Sequence, residues 1–202
     1  MTESAHESRR RATAKKAAAF ARAHTVAAGL SSFTVEQICE AAGFSRRTFF
    51  NYFASKEDAV LGILLPSGDE DLEDAFVVAH GDLLDDLITL SVALWDRHSL
   101  SIDDVEELGA VIDVEPKLLA RLFSHVKETE IAASALVARR CGYDTEDPRA
   151  TTIAQIVATL MRLAIDDALQ HPETADFENF LRARVAIARE LFSATTHTKA
   201  QS

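Results

Sequence analysis

Side chains of types suited to base edges and phosphate oxygens crowd into one short stretch: Arg46, Arg47, Thr48, Asn51 and Tyr52, with Thr34 before them and Lys56 just after. An arginine fork matches the O6 and N7 acceptors of guanine, and an asparagine amide matches N6 and N7 of adenine. Threonine and tyrosine hydroxyls and a lysine ammonium suit phosphate oxygens. Taken singly these residues mean little, since an Arg-Arg pair on a helix is ordinarily a solvated face. Their weight comes from the elements that hold them.

Thr34 opens a short helix, and Gln37, three residues on, completes a capping box. Val35, Ile38, Cys39 and Ala42 follow at helical spacing and make one face apolar. Gly43 ends this helix and Ser45 caps the next, which carries Phe49 and Phe53 at i, i+4. Ser55 caps a fourth, running through Ala59, Val60, Ile63 and Leu64 towards Pro66. Two short helices joined by a tight turn pack crosswise, the first over the DNA backbone and the second in the major groove. With Phe49 and Phe53 turned inward, Arg46, Arg47, Thr48, Asn51 and Tyr52 are left on or near the outward side. The N–H groups at the starts of the Thr34 and Ser55 helices favour a phosphate. A first helix is expected from Arg9 to Ala28, stopping at Gly29, with Ala17, Phe20, His24 and Ala27 as its apolar face. Residues 1–8 read as unstructured, and the Arg9-Arg10-Arg11 run reads equally as an arm along DNA or as a solvated tail.

The run TVEQICEAAGFSRRTFFNYFASKEDAV resembles the signature of the TetR family of helix-turn-helix transcriptional regulators. The likeness is close over residues 29–60 and loose over 9–28. It implies an all-α fold of about nine helices. A three-helix DNA-binding domain (9–65) comes first and a larger helical ligand-binding and dimerisation domain (66–196) follows. The resemblance assigns Thr34, Tyr52 and Lys56 to phosphates, and Arg46, Arg47, Thr48 and Asn51 to bases or nearby phosphates. It gives Gly43 the turn, and gives Phe49 and Phe53 the seating of the reading helix. His24 and Thr25 stand where the family has large apolar residues. The function implied is a dimeric repressor, released from a palindromic operator in double-stranded DNA by a small hydrophobic ligand. An activator or a ligand-independent regulator is the alternative, and a helical protein-binding adaptor is a more distant one.

Composition agrees with helix throughout: of 202 residues 48% are apolar, and only 7 Gly and 4 Pro interrupt them. The net charge of -11 opposes a polyanionic partner only as an average. Residues 1–60 hold nine Lys/Arg against six Asp/Glu, so the acidity lies beyond them. Screening confines each charge to about 8 Å at physiological salt, so a basic head can bind phosphate on an acidic body. No apolar run reaches the roughly 20 residues of a membrane span, and the N-terminus lacks the apolar core of a secretory signal. Cys39 and Cys141 read as reduced thiols of a cytoplasmic protein. Nothing alternates with period two, so no strands are expected.

Beyond the break at Pro66-Ser-Gly-Asp, helices are expected at about 69–98 (interrupted near Gly81), 102–113, 116–141, 148–170 and 176–194. Ile153, Ile156, Val157, Leu160, Leu163 and Ala164 form one apolar stripe. Phe177, Phe180, Leu181, Val185, Ala188 and Leu191 form another. In the family the last two helices pair between subunits, so these stripes are candidates for a homodimer seam; burial within one subunit is the other reading. Candidate lining residues for an effector cavity are Phe76, Leu94, Trp95, His98, Phe123, Val126 and Met161. The helix pattern is similar to that of family members sensing acyl-CoA or other lipid-like molecules. No catalytic constellation with credible spacing occurs, and no cofactor or metal is expected. The Asp85-Asp86, Asp103-Asp104 and Asp166-Asp167 pairs are helix neighbours that point in different directions.

Overall fold

The structure, a computed structural model, describes residues 5–98, 102–171 and 177–198. Among these, ten α-helices and one 3-10 turn occur and no strand. The reading head consists of α1 (Ala5–Ala28), the turn Leu30–Ser32, α2 (Val35–Ala42), α3 (Arg46–Tyr52) and α4 (Lys56–Leu61). The body consists of α5 (Glu70–Val78), α6 (Leu83–His98), α7 (Ile102–Val114), α8 (Leu118–Cys141), α9 (Pro148–Gln170) and α10 (Phe177–Thr198).

Two apolar cores organise these helices. The first gathers Ala14, Ala17 and Ala21 of α1 with Phe33, Ile38, Phe49, Phe53, Val60 and Leu61. Leu108 and Val111 of α7 and Leu118 of α8 complete it. The head's core is therefore closed by the body, across the expected division near Pro66. The second core joins Phe76, Leu87, Ile88, Leu136, Val137, Val157, Leu181 and Val185 from α5, α6, α8, α9 and α10.

Three expectations are corrected. The buried side of α1 is Ala14, Ala17, Ala18, Ala21, Arg22 and Thr25, whereas His24 and Ala27 are exposed. Small alanines let other helices come close, and the polar pair is satisfied locally: the Thr25 hydroxyl donates to Ala21 O at 2.7 Å. Exposed His24 stacks on Phe20, with ring centroids 3.9 Å apart. The first helix also begins earlier than expected, at Ala5. The fourth helix ends earlier, at Leu61, because Gly62 adopts a left-handed φ of 73° and turns the chain. Ile63 and Leu64 still pack on the first core.

The stretch 69–98 is interrupted near Gly81, where the sequence placed the interruption, and forms α5 and α6. Asp82 starts the second piece by accepting the Asp85 N–H at 3.0 Å. Arg140 of α8 holds the break by donating to Gly81 O at 2.9 Å and to Asp86 at 2.5 Å. A Cβ on Gly81 would lie 2.8 Å from the Asp86 carboxylate, so a larger residue there would push that side chain aside.

Asp147 caps α9 just ahead of Pro148. The Arg149 guanidinium and then the Arg149 backbone N–H hold its carboxyl down to about 2. A depressed carboxyl stabilises the fold above the unfolded-state value near 3.9 and loses that contribution as pH falls through the folded value. Asp147→Ala is therefore expected to be less stable than wild type at pH 5–7. The difference should shrink progressively as pH falls from about 5 towards 1. Urea unfolding of both proteins at stepped pH checks this, and a difference as large at pH 2 as at pH 6 would refute it.

Candidate nucleic-acid interface

The capping expected from sequence is present. Thr34 Oγ1 accepts the Gln37 N–H at 3.3 Å, and Gln37 Oε1 accepts the Thr34 N–H at 2.8 Å. Gly43 ends α2 at φ 77°, and its N–H reaches Cys39 O and Glu40 O. No side chain would clash there, so the left-handed backbone alone selects glycine. Ser45 caps α3 by accepting the Thr48 N–H at 3.1 Å. Phe49 and Phe53, fully buried with ring centroids 5.4 Å apart, seat the helix.

Residues of α3 advance about 100° each round the axis. Arg46, Phe50, Arg47 and Asn51 follow one another round an outward arc of roughly 140°, and all four are exposed. Phe50 and Arg47 occupy its middle. Thr48 and Tyr52, half-buried, border one side of the arc. Glu36 of α2 borders the other and accepts from Arg46 at 2.6 Å. Its own backbone N–H, the Thr34 hydroxyl and Arg46 hold the Glu36 carboxyl below the usual range.

Several expected contacts already carry structural duties. Lys56 Nζ donates to Leu30 O at 2.7 Å and Phe33 O at 2.9 Å, and lies 4.8 Å from the Phe33 ring centre. Two of its three N–H groups thus hold the loop before Thr34. The Leu30 N–H donates to Glu115 at the α7–α8 corner, at 2.7 Å. Leu30 therefore links the body to Lys56. Arg10 is not a loose tail: it donates to Leu65 O at 2.9 Å, and its guanidinium lies 5.3 Å from the Tyr52 ring centre.

The seven candidate lining residues do not converge. Phe76, Leu94, Trp95 and Met161 belong to the second core, and Trp95 stacks on Phe177 with centroids 4.5 Å apart. Phe123 and Val126 lie exposed on α8, whose buried side in that region is Leu118 and Leu122. His98 ends α6, and its side chain lies outside the described residues. The candidate seam residues lie mostly on the inner side of their helices. Val157, Leu160, Phe177, Leu181 and Val185 are buried within one subunit, because this side of α9 and α10 faces α6 and α8. Ile153 and Phe180 are partly buried there, and Ile156 is exposed. The exposed apolar residues of α10 are instead Ile187, Leu191 and Phe192.

Sequence reasoning missed Phe50, Glu36 and Arg10. For Phe50 the signal was there, since Phe49 and Phe53 at i, i+4 turn the residue between them outward. The pairings of Glu36 and Arg10 join different helices, and spacing along one helix does not reveal them. Among the described residues no three His, Cys, Asp or Glu gather as a metal site, and no helix is long and apolar enough to cross a membrane.

Two short capped helices, a left-handed glycine turn and a polar outward arc define a DNA-binding regulator of the helix-turn-helix class. Residues 20–61 match the family described as bacterial regulatory proteins, tetR family, and residues 106–192 match the MftR C-terminal domain. The chain belongs to the TetR family of transcriptional regulators. No curated protein matches it.

Proposed function

We propose that the chain is a dimeric repressor that sets α3 into the major groove at each half of a palindromic operator and is released by a small apolar effector. The observation carrying this reading is the exposed arc of Arg46, Arg47 and Asn51, bordered by Thr48 and Tyr52, with Thr34 and Lys56 at the starts of the helices before and after α3. Arg47 and Asn51 supply base-edge donors. Arg46 stays paired with Glu36 and offers its remaining N–H groups to a nearby phosphate. The hydroxyls and Lys56 grip phosphate. On this reading residues 9–65 act as the reading unit and 66–196 as the sensing and pairing unit.

Pairing is assigned to the outer side of α9 and α10, where Ile156, Ile187, Leu191 and Phe192 leave apolar surface exposed. We assign the body a small apolar effector, lipid-like or acyl-CoA-like, with Leu94, Trp95 and Met161, partly buried against the second core, as its candidate contacts. Trp95 is the chain's one tryptophan, so its fluorescence reports occupancy directly.

Arg47→Ala is expected to keep wild-type helicity and melting while losing roughly 5- to 150-fold in affinity for DNA fragments selected by the protein itself. Wild-type affinity in this variant would remove the assignment. Wild-type binding should also weaken steeply with salt, as phosphate contacts release counterions.

A further inference from the structure

We propose that Phe50 is a specificity-determining residue that reads thymine, its ring meeting the 5-methyl group in the major groove. The inference rests on α3 being the reading helix, and it names a base preference that the polar arc alone does not supply. Phe50 is 44% exposed at the middle of that arc, between Arg46 and Arg47, whereas its neighbour Phe49 is fully buried. A phenylalanine facing water in the centre of a polar surface gains by covering an apolar group. The one such group on base edges in the major groove is the thymine methyl.

The ring is held in place beforehand. Phe49 meets it edge-on, with centroids 5.1 Å apart and planes at 87°. The Arg46 guanidinium carbon lies 5.7 Å from the ring centre, and Glu36 anchors that guanidinium at 2.6 Å. One side of the ring is thus covered by the protein, while much of its surface still faces solvent. Glu36 and Arg46 act here as positioning residues. A side chain fixed before docking loses less freedom on binding than a mobile one.

Deoxyuridine removes the 5-methyl of thymine and leaves every hydrogen-bonding group in place, so it isolates the contact. DNA fragments are selected with the full-length protein, and each thymine is then exchanged singly for deoxyuridine. Wild type is expected to lose roughly fourfold in affinity at one position in each half-site, the value of one buried methyl. Phe50→Ala is expected to bind the two versions of that position equally, while its melting and its salt dependence match wild type. Phe50→Leu, which keeps an apolar side chain, should retain part of the discrimination. Indifference of the wild type to deoxyuridine at every position would overturn the proposal, as would a Phe50→Ala variant with undiminished discrimination. If no fragment is selected at all, the reading of α3 falls, and this inference with it.

Discussion

Arg22→Ala is expected to cost about 3–5 kcal/mol of folding stability, the range for removing one partner of a buried ion pair. Arg22 is 2% exposed. Its Nε donates to Val60 O at 3.0 Å, and its Nη1 donates to Asp104 at 2.5 Å and Glu107 at 3.1 Å. Alanine would leave a cavity and an unpaired carbonyl at the end of α4, and would take from the mostly buried Asp104 carboxylate its ion pair at 2.5 Å, with Lys15 remaining at 3.8 Å. At about 2–4 °C per kcal/mol for a chain of this size, the melting temperature should fall by about 6–20 °C. Arg22 Nη2 is buried without a hydrogen-bond partner, so the wild-type arrangement is itself imperfect. Arg22→Met, which refills the space with apolar atoms, should therefore lose less than alanine does. Chemical unfolding of the three proteins decides the matter, and an alanine variant within about 1 kcal/mol of wild type would refute it.

The same arginine has a second consequence. It joins α1, α4 and α7 at one point, and Glu115 joins the α7–α8 corner to Leu30, whose carbonyl Lys56 holds. The body therefore reaches the DNA-facing surface through two polar links besides the shared apolar core. Arg121 of α8, donating to buried Asp58 at 2.6 Å, is a third. Salt and hydrogen-bond links of this kind carry discrete geometries, and a shift of α7 or α8 cannot leave all three unchanged.

The reading motif was legible because it is local. Caps, a glycine turn and a 3.6-residue period act within a few residues, and Thr34, Gln37, Gly43, Ser45, Phe49 and Phe53 all stand as their spacing requires. The buried side of α1 was not legible, because an alanine-rich helix turns by what packs on it, and its deepest large side chain is an arginine. The break near Gly81 was legible at the glycine, but the bond from Arg140, distant in sequence, to Gly81 O was not. The split of apolar residues between core and surface on α8, α9 and α10 depends on tertiary neighbours as well. An amphipathic stripe names an apolar side without naming its partner, so Phe123 and Leu181 look alike in sequence but only Leu181 is buried.

The adjacent phenylalanines give the sharpest contrast of effects. Phe49→Ala is expected to cost about 3–5 kcal/mol, the usual range for a buried phenylalanine. Phe49 is fully buried among Ile38, Phe53, Val60 and Leu61 in the first core. Its ring also touches Phe53 and Phe50, so its loss empties the seat of a seven-residue helix. Such a helix is far below the length that is stable alone, so α3 should fray and DNA affinity should fall together with stability. Phe50→Ala, one residue on, removes an exposed side chain and should change stability by no more than about 0.5 kcal/mol. Phe49→Leu keeps an apolar group in the seat and should recover most of the loss. Hydrogen exchange of the α3 amides, measured beside urea unfolding, separates local fraying from global destabilisation. If Phe49→Ala proved as stable as Phe50→Ala, with α3 still protected, then α3 would be held by something other than this core. The outward arc of Arg46, Phe50, Arg47 and Asn51 would then lose the anchor that fixes which way it faces.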